Sequence, residues 1–411
     1  MSYIHLSIEK IGETLGISLD KIISISWKIT EILQSRLDKV NEILQALQEY
    51  LMLLKQGVTI GSAIIESTKN LQENSFSQIE NLAIFTKNDF IEYFPDSDIE
   101  IYLPLFSQSR VTEDYFIKEY PNEVNFKPLI KIKEEAYFLI TGNYLFIAIG
   151  EKLKTVLGDN NKLADRFYKH KGNFLERKVL KHFKNIFGEK AKFYNSVYET
   201  SNSQNEHDIL IIYKKTLIII ECKTTRIPKN FRDVEKGYKR ISSKFNESIQ
   251  AAFDQARRLK KLILSQGKND LYDKDGNLLL QISLKEIDNI ECVCITKESE
   301  GHLATNLNYL LKKEVNEDYP YCLNLADLTQ LSEFKNYLGI TPRKFVTYIK
   351  FRKALHGKVF SDDELDYWGY YLKEKSFKSL LKEREGLIQL DPSYSNIFDE
   401  AYLQKIRSKS S

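Results

Sequence analysis

Apolar positions along the chain follow three patterns in turn. Between Leu33 and Leu54 they recur in a four-three alternation, at Leu33, Leu37, Val40, Leu44, Leu47, Leu51 and Leu54, the spacing of a coiled-coil seam. This predicts a long helix that begins near Leu19 or Asp20 and stops before Gly57. Ile32, Ile43, Ala46 and Leu53 widen the stripe beyond a simple seam. Self-association and an internal helical hairpin, with 60–71 as the returning helix, therefore stay equally open. From Asp208 to Lys223 the period changes. Two apolar β-type runs flank Lys214 and Lys215, which predicts a buried hairpin. Stripes at helical spacing bracket it: Leu180, Phe183 and Phe187 within 172–187, and Ala251, Ala252, Leu259 and Leu262 within 246–264. Further strands are expected at 278–282 and 290–296. Beyond Gly301 the pattern is helical, at 323–338, 342–355 and 362–373. The region 75–170 is mixed, with extended runs at 101–106 and 124–132 and a partly helical stretch at 137–157. At 7–29 a weak helix-turn-helix pattern offers only Lys21 and Lys28 as basic residues in its second helix.

The hairpin carries the informative chemistry. Symmetric reversal about Lys214-Lys215 sets Tyr213 opposite Thr216, Ile212 opposite Leu217 and, at the outer end, Asp208 opposite Glu221. Opposed residues on antiparallel strands have Cβ atoms roughly 4.5–5.5 Å apart. Lys223 lies two residues beyond Glu221 and so faces the same side. Two carboxylates this close inside an apolar element repel unless a cation separates them. A hard divalent ion such as Mg²⁺ takes oxygen ligands and retains waters, and a lysine beside such a water can orient it as a nucleophile. By alternation, His207 should face away from Asp208. His170 and His182 stand alone and read as surface or packing residues.

An aspartate, an apolar hairpin and the Glu221-Cys222-Lys223 triplet resemble the metal site of the PD-(D/E)xK nuclease superfamily over roughly 171–297. No proline precedes Asp208; His207 takes that place. The resemblance implies a restriction-endonuclease-like α/β (α+β) fold, a mixed sheet flanked by helices. It also implies Mg²⁺ or Mn²⁺ held by Asp208, Glu221 and the Cys222 backbone carbonyl, with Lys223 positioning the attacking water. Glu176, in line with the first helix's apolar stripe, would join the site, although its spacing from Asn173 also fits a capping box. Gln255, with Gln250 as second choice, would orient water or phosphate from the second helix. No other cofactor is expected.

Charge is distributed unevenly. The whole chain has a net charge of only +3, but residues 171–266 hold 21 Lys and Arg against 10 Asp and Glu. Arg226, Lys229, Arg232, Lys236, Lys239, Arg240 and Lys244 follow directly on the Glu-x-Lys strand, with Phe231 and Tyr238 among them. Such a segment suits phosphate contacts. The expected partner is DNA, with RNA the alternative. At 411 residues several domains are expected: a helical arm at 1–74, a mixed accessory region at 75–170, the nuclease-like domain at 171–300 and a helical C-terminal region at 301–411. The arm is expected to mediate homo-oligomer or partner contacts. No apolar run approaches the roughly 20 residues of a membrane span. Cys222, Cys292, Cys294 and Cys322 lack zinc spacing and read as free thiols of a reducing cytosol. The function expected is a metal-dependent DNA endonuclease of bacterial restriction or anti-phage defence. A silent nuclease-like assembly module, an RNA nuclease and a repair enzyme are the alternatives.

Overall fold

A computed structural model describes residues 12–55, 82–109, 123–158, 161–202, 205–225, 234–382 and 386–410. The expected returning helix at 60–71, the start of the helix-turn-helix pattern, and Arg226, Lys229 and Arg232 lie outside the described residues. So do the side chains of Leu47, Leu51 and Leu54. Two compact units divide the chain, Met1–Arg166 and Phe167–Ser411.

The first unit contains helix α1, Leu19–Lys55, at the bounds its seam predicts. Ile22, Ile25 and Ile29 on its first half are buried. They join Phe85, Phe90, Tyr102 and Phe106 in one core. Further along, Leu37 and Leu44 are 39% and 48% exposed. Strands β1 (Ile84–Thr86), β2 (Ser107–Ser109), β3 (Leu129–Lys133) and β4 (Ala136–Phe138) form a sheet in the order β1-β4-β3-β2. The run expected to be extended at 101–106 is instead the end of helix α2, Asp96–Phe106. Pro95 precedes the helix and Asp96 and Asp98 occupy its first turn, where they complement the helix dipole. Ile99, Tyr102, Leu103 and Phe106 are its buried face, a 3.6-residue period that the shorter window 101–106 concealed.

The second unit is built on a seven-stranded mixed sheet in the order β11-β10-β7-β6-β5-β8-β9. The strands are β5 (Ala191–Tyr198), β6 (Glu206–Tyr213), β7 (Thr216–Lys223), β8 (Lys268–Tyr272), β9 (Leu278–Ser283), β10 (Asn289–Thr296) and β11 (Tyr321–Asn324). β7, β10 and β11 run parallel, and the remaining pairs are antiparallel. Side chains alternate between two apolar layers. Ile209, Ile211, Ile218 and Ile220 pack against Leu175, Val179 and Phe183 of the helix α3, Asn161–Phe187. Leu210, Leu217 and Ile219 pack on the other face against Phe245, Ile249, Ala252 and Ala256. That second layer comes from α4 (Val234–Phe245), a π-helical turn at Asn246–Gln250 and α5 (Ala251–Gln266).

The expected boundary at 300 runs through this unit. Tyr321, Cys322, Leu323 and Asn324, all buried, extend the sheet as β11, so the helix expected from 323 begins later, as α6 at Leu325–Glu333. Asn324 ends the strand and caps the helix, its side chain accepting the Asp327 N–H as an N-cap residue does. Tyr348 of α7 (Pro342–Arg352) and Trp368 of α8 (Glu364–Glu374) belong to the same core as Ile209 and Val293. The tail therefore completes the layer that the α3 face begins. The four cysteines are free, and three of them are buried.

Candidate active site

The hairpin is paired as its symmetry predicts, from Tyr213↔Thr216 outward to Ile209↔Ile220. Lys214 takes a left-handed φ of 53° in the two-residue turn, where hairpin geometry calls for a positive φ. The paired register stops at Ile209↔Ile220. One residue further out, the Asp208 carboxylate accepts the Cys222 N–H at 2.6 Å, so a side-chain bond takes over at the end of the strand pair. Ser196, in β5 between the paired residues Asn195 and Val197, has a φ of 50°. The strict in-out alternation used to assign faces does not hold through this end of the sheet.

His207 is where that matters. It was expected to face away from the carboxylates. Instead it is fully buried, its Nδ1 2.6 Å from Glu221 Oε1 and its Nε2 3.0 Å from Glu199 Oε1. Arg258 of α5 donates from Nε to the same Glu199 oxygen at 2.7 Å. An imidazole with a carboxylate at each nitrogen satisfies both only by donating from both. Burial pulls the His207 pKa down, but the hydrogen bonds it donates to Glu199 and Glu221, with their charges, outweigh it and the net shift is upward. Burial acts to raise the Glu199 pKa, yet His207 and Arg258 together hold it at about 2.

The proposed ligands are electrostatically coupled. Burial, followed by the negative charge of Glu221, pushes the Asp208 carboxyl up to about 7, with Glu176 adding to the rise and the Cys222 N–H and Lys223 opposing it. Glu176, on α3, is raised by burial first and then by the charges of Glu206 and Glu221. The Lys171 ammonium hydrogen-bonds the Thr224 carbonyl at 3.1 Å, tying α3 to the segment after β7. On the opposite helix layer, the Lys223 ammonium donates to Gln255 Oε1. Asp208, Glu221, Lys223, Glu176 and Gln255 thus gather at one end of the hairpin. Gln250 does not join them: its amide bonds the Lys312 N–H and carbonyl and Asp254. Lys236, Lys239 and Arg240 lie exposed on α4 beside an exposed Tyr238; Lys239 is paired with Glu235 and Lys244 with Glu247.

Glu221 supplies the test of whether these residues suit a metal ion. It is fully buried, and its Oε2 has no hydrogen-bond partner among the described residues. Leaving a buried carboxylate oxygen unpaired costs several kcal/mol, and a cation facing it offsets that cost. Among the described residues no three His, Cys, Asp or Glu side chains form a metal cage unaided. Two carboxylates with the rest of the shell left to water suit Mg²⁺, which seldom uses an all-protein cage. The donor set fits the ion.

Residues 171–294 match the family model of the nuclease-related domain, NERD. The centre of this chain is a PD-(D/E)xK-like nuclease-related domain. None of the curated proteins or solved structures compared with the chain matches it. Among the described residues, no helix of the chain is long and apolar enough to cross a membrane. Within the nuclease-related domain, the carboxylates and lysine were legible as a local motif, whereas the His207 contacts were not. The one sequence signal for His207 was its place directly before Asp208. Glu199 and Arg258 gave none.

Proposed function

We propose that the chain is a divalent-metal-dependent nuclease that hydrolyses phosphodiester bonds in DNA. The observation that carries this reading is the buried Glu221 Oε2, unpartnered among the described residues, on a carboxylate whose charge acts on the Asp208 carboxyl, in a domain matching a nuclease-related family. Asp208 and Glu221 would hold Mg²⁺ or Mn²⁺, with the Cys222 carbonyl and Glu176 completing the shell directly or through water. When bound, the ion supplies charge stabilisation at the phosphoryl oxygens and lowers the pKa of water. Lys223 orients the attacking water by hydrogen bonding. Gln255 fixes the Lys223 ammonium through the bond its side-chain oxygen accepts, which keeps that donor aimed rather than free to rotate. The apolar layers on both faces of the hairpin bury Glu221, which strengthens its electrostatic contacts.

Lys236, Lys239 and Arg240 on α4, and the basic segment preceding them, would grip the phosphate backbone without reading sequence. The exposed Leu37 and Leu44 of α1 support a role for that helix in assembly with a second copy or a partner protein. Restriction or anti-phage defence in a bacterial cytoplasm is the setting this reading proposes. The test incubates the full-length protein with Mg²⁺, Mn²⁺ or EDTA and with supercoiled, linear and single-stranded DNA and RNA. Metal-dependent cleavage of DNA that Lys223→Ala abolishes is the expected result. Cleavage of RNA alone would move the substrate to RNA, and no cleavage of any substrate would mark a silent binding module.

A further inference from the structure

The proposed ligands leave part of the local chemistry unused. Arg258, Glu199, His207 and Glu221 form an unbroken chain of side-chain contacts of 2.7, 3.0 and 2.6 Å. It links the end of β5 to α5, β6 and β7. His207 is fully buried, and the Glu199 and Glu221 side chains are 10% and 1% exposed. Arg258 is the most exposed of the four, at 40%. Even paired, buried ionisable groups can lose more in desolvation than their attraction returns, so the arrangement is expensive for a purely structural joint within an apolar sheet. Its inner end is specific: His207 takes one oxygen of Glu221 and leaves the other, Oε2, without a partner among the described residues.

We propose that Arg258, Glu199 and His207 are positioning residues that lock Glu221 Oε1, so that Oε2 alone is presented to the divalent ion. The inference rests on the metal-site reading above and adds to it three residues and a mode of use for Glu221, a single-oxygen ligand. Groups that hydrogen-bond a ligating side chain fix its orientation and tune its affinity, and their loss typically costs about 10–100-fold in metal binding. Here the usual roles are exchanged. A histidine orients a ligating carboxylate, and a second carboxylate with an arginine orients the histidine.

Two substitutions separate positioning from bulk structure. The side-chain nitrogen of asparagine stands near the place of Nδ1, and that of glutamine near the place of Nε2. His207→Asn therefore retains a donor toward Glu221, whereas His207→Gln retains one toward Glu199 only. Mn²⁺ binding to the full-length chain is titrated by electron paramagnetic resonance of the free ion, on wild type, both His207 variants, Glu221→Gln and Arg258→Ala. Circular dichroism checks that each variant is folded. The expected result is Mn²⁺ binding weakened about 10–100-fold in His207→Gln, with His207→Asn much closer to wild type. Arg258→Ala, changed at a part-exposed site, weakens binding in the same direction without loss of fold. Equal affinity in wild type, His207→Gln and Arg258→Ala overturns the positioning role while leaving the metal site standing. Equal losses in His207→Asn and His207→Gln also overturn it, because contact with Glu221 would then not be what matters. Wild type binding no more Mn²⁺ than Glu221→Gln overturns the metal-site reading itself, and the positioning role with it.

Discussion

Replacing Asp208 with asparagine should make the metal-free protein more stable at pH 8 while removing its capacity to bind the ion. The Asp208 carboxyl is pushed from 3.8 to about 7, by burial first and by the Glu221 charge second. A carboxyl whose folded pKa is raised contributes stability that is fully present below its unfolded value and is lost as pH rises through the folded one. The window therefore runs from about pH 4 to about pH 7. Each pH unit corresponds to about 1.4 kcal/mol, so the penalty above pH 7 is at most about 4 kcal/mol. Asparagine removes the charge and keeps an oxygen for the Cys222 N–H, but it buries an amide whose own donors lack assured partners. That returns about 1–3 kcal/mol, leaving a net gain of about 1–3 kcal/mol. For a unit of this size the gain raises Tm by roughly 2–4 °C per kcal/mol. Thermal unfolding in EDTA at pH 4.5 and pH 8, roughly the two ends of that window, reads it out. The difference between variant and wild type should grow with pH, and Mn²⁺ should stabilise wild type but not the variant. A variant destabilised equally at both pH values would refute the argument, because the carboxyl would then not be under charge strain.

Lys223→Ala should lower the cleavage rate by about 10²–10⁴-fold while Mn²⁺ affinity holds; a parallel loss of metal binding would assign the lysine to the ion instead. Asp327, buried and bonded to the Asn324 amide, has its carboxyl pushed up to about 8 by burial and then by Asp363 and Glu364. Asp327→Asn should therefore stabilise the protein at pH 8.5, with a gain that shrinks toward pH 4, and a pH-independent effect in denaturant titrations would contradict this. Glu364→Leu leaves Arg352, 1% exposed and bound to Glu364 at 3.0 Å, buried without its countercharge; a loss of about 3–5 kcal/mol in urea unfolding is expected, and a loss below 1 kcal/mol would argue against it. Lys236→Gln with Arg240→Gln should weaken DNA binding equally across sequences and lower the salt slope by about one for each phosphate-binding charge removed. An unchanged slope would remove α4 from the interface.

Much of the site could be read from the sequence because its signals are local. The hairpin turns about two adjacent residues, so pairing from Tyr213↔Thr216 carries the register outward without outside information. Helical spacing put Glu176 and Gln255 on the apolar stripes of their helices, and the superfamily resemblance then assigned them to the site. What failed was alternation at the end of the sheet, where Asp208 bonds Cys222 N–H and Ser196 turns to positive φ; His207 was assigned to the wrong side there. Arg258 lies 59 residues from Glu199, a separation no local pattern spans. Two elements were misread for a related reason. Residues 101–106 are too few to separate a helical from an extended period, and β11, at Tyr321–Asn324, abuts a helix whose stripe absorbed Leu323. In both cases the decisive fact is which neighbour buries the side chain, a property of the assembled sheet and not of the segment.

The central claim is that the Asp208 and Glu221 carboxylates hold a divalent ion. Anomalous diffraction from crystals soaked in Mn²⁺ tests it most directly. The account predicts an anomalous peak against Glu221 Oε2 and the Asp208 carboxylate, lost in Glu221→Gln crystals. Wild-type crystals without such a peak, or with an equal peak in Glu221→Gln, would contradict it.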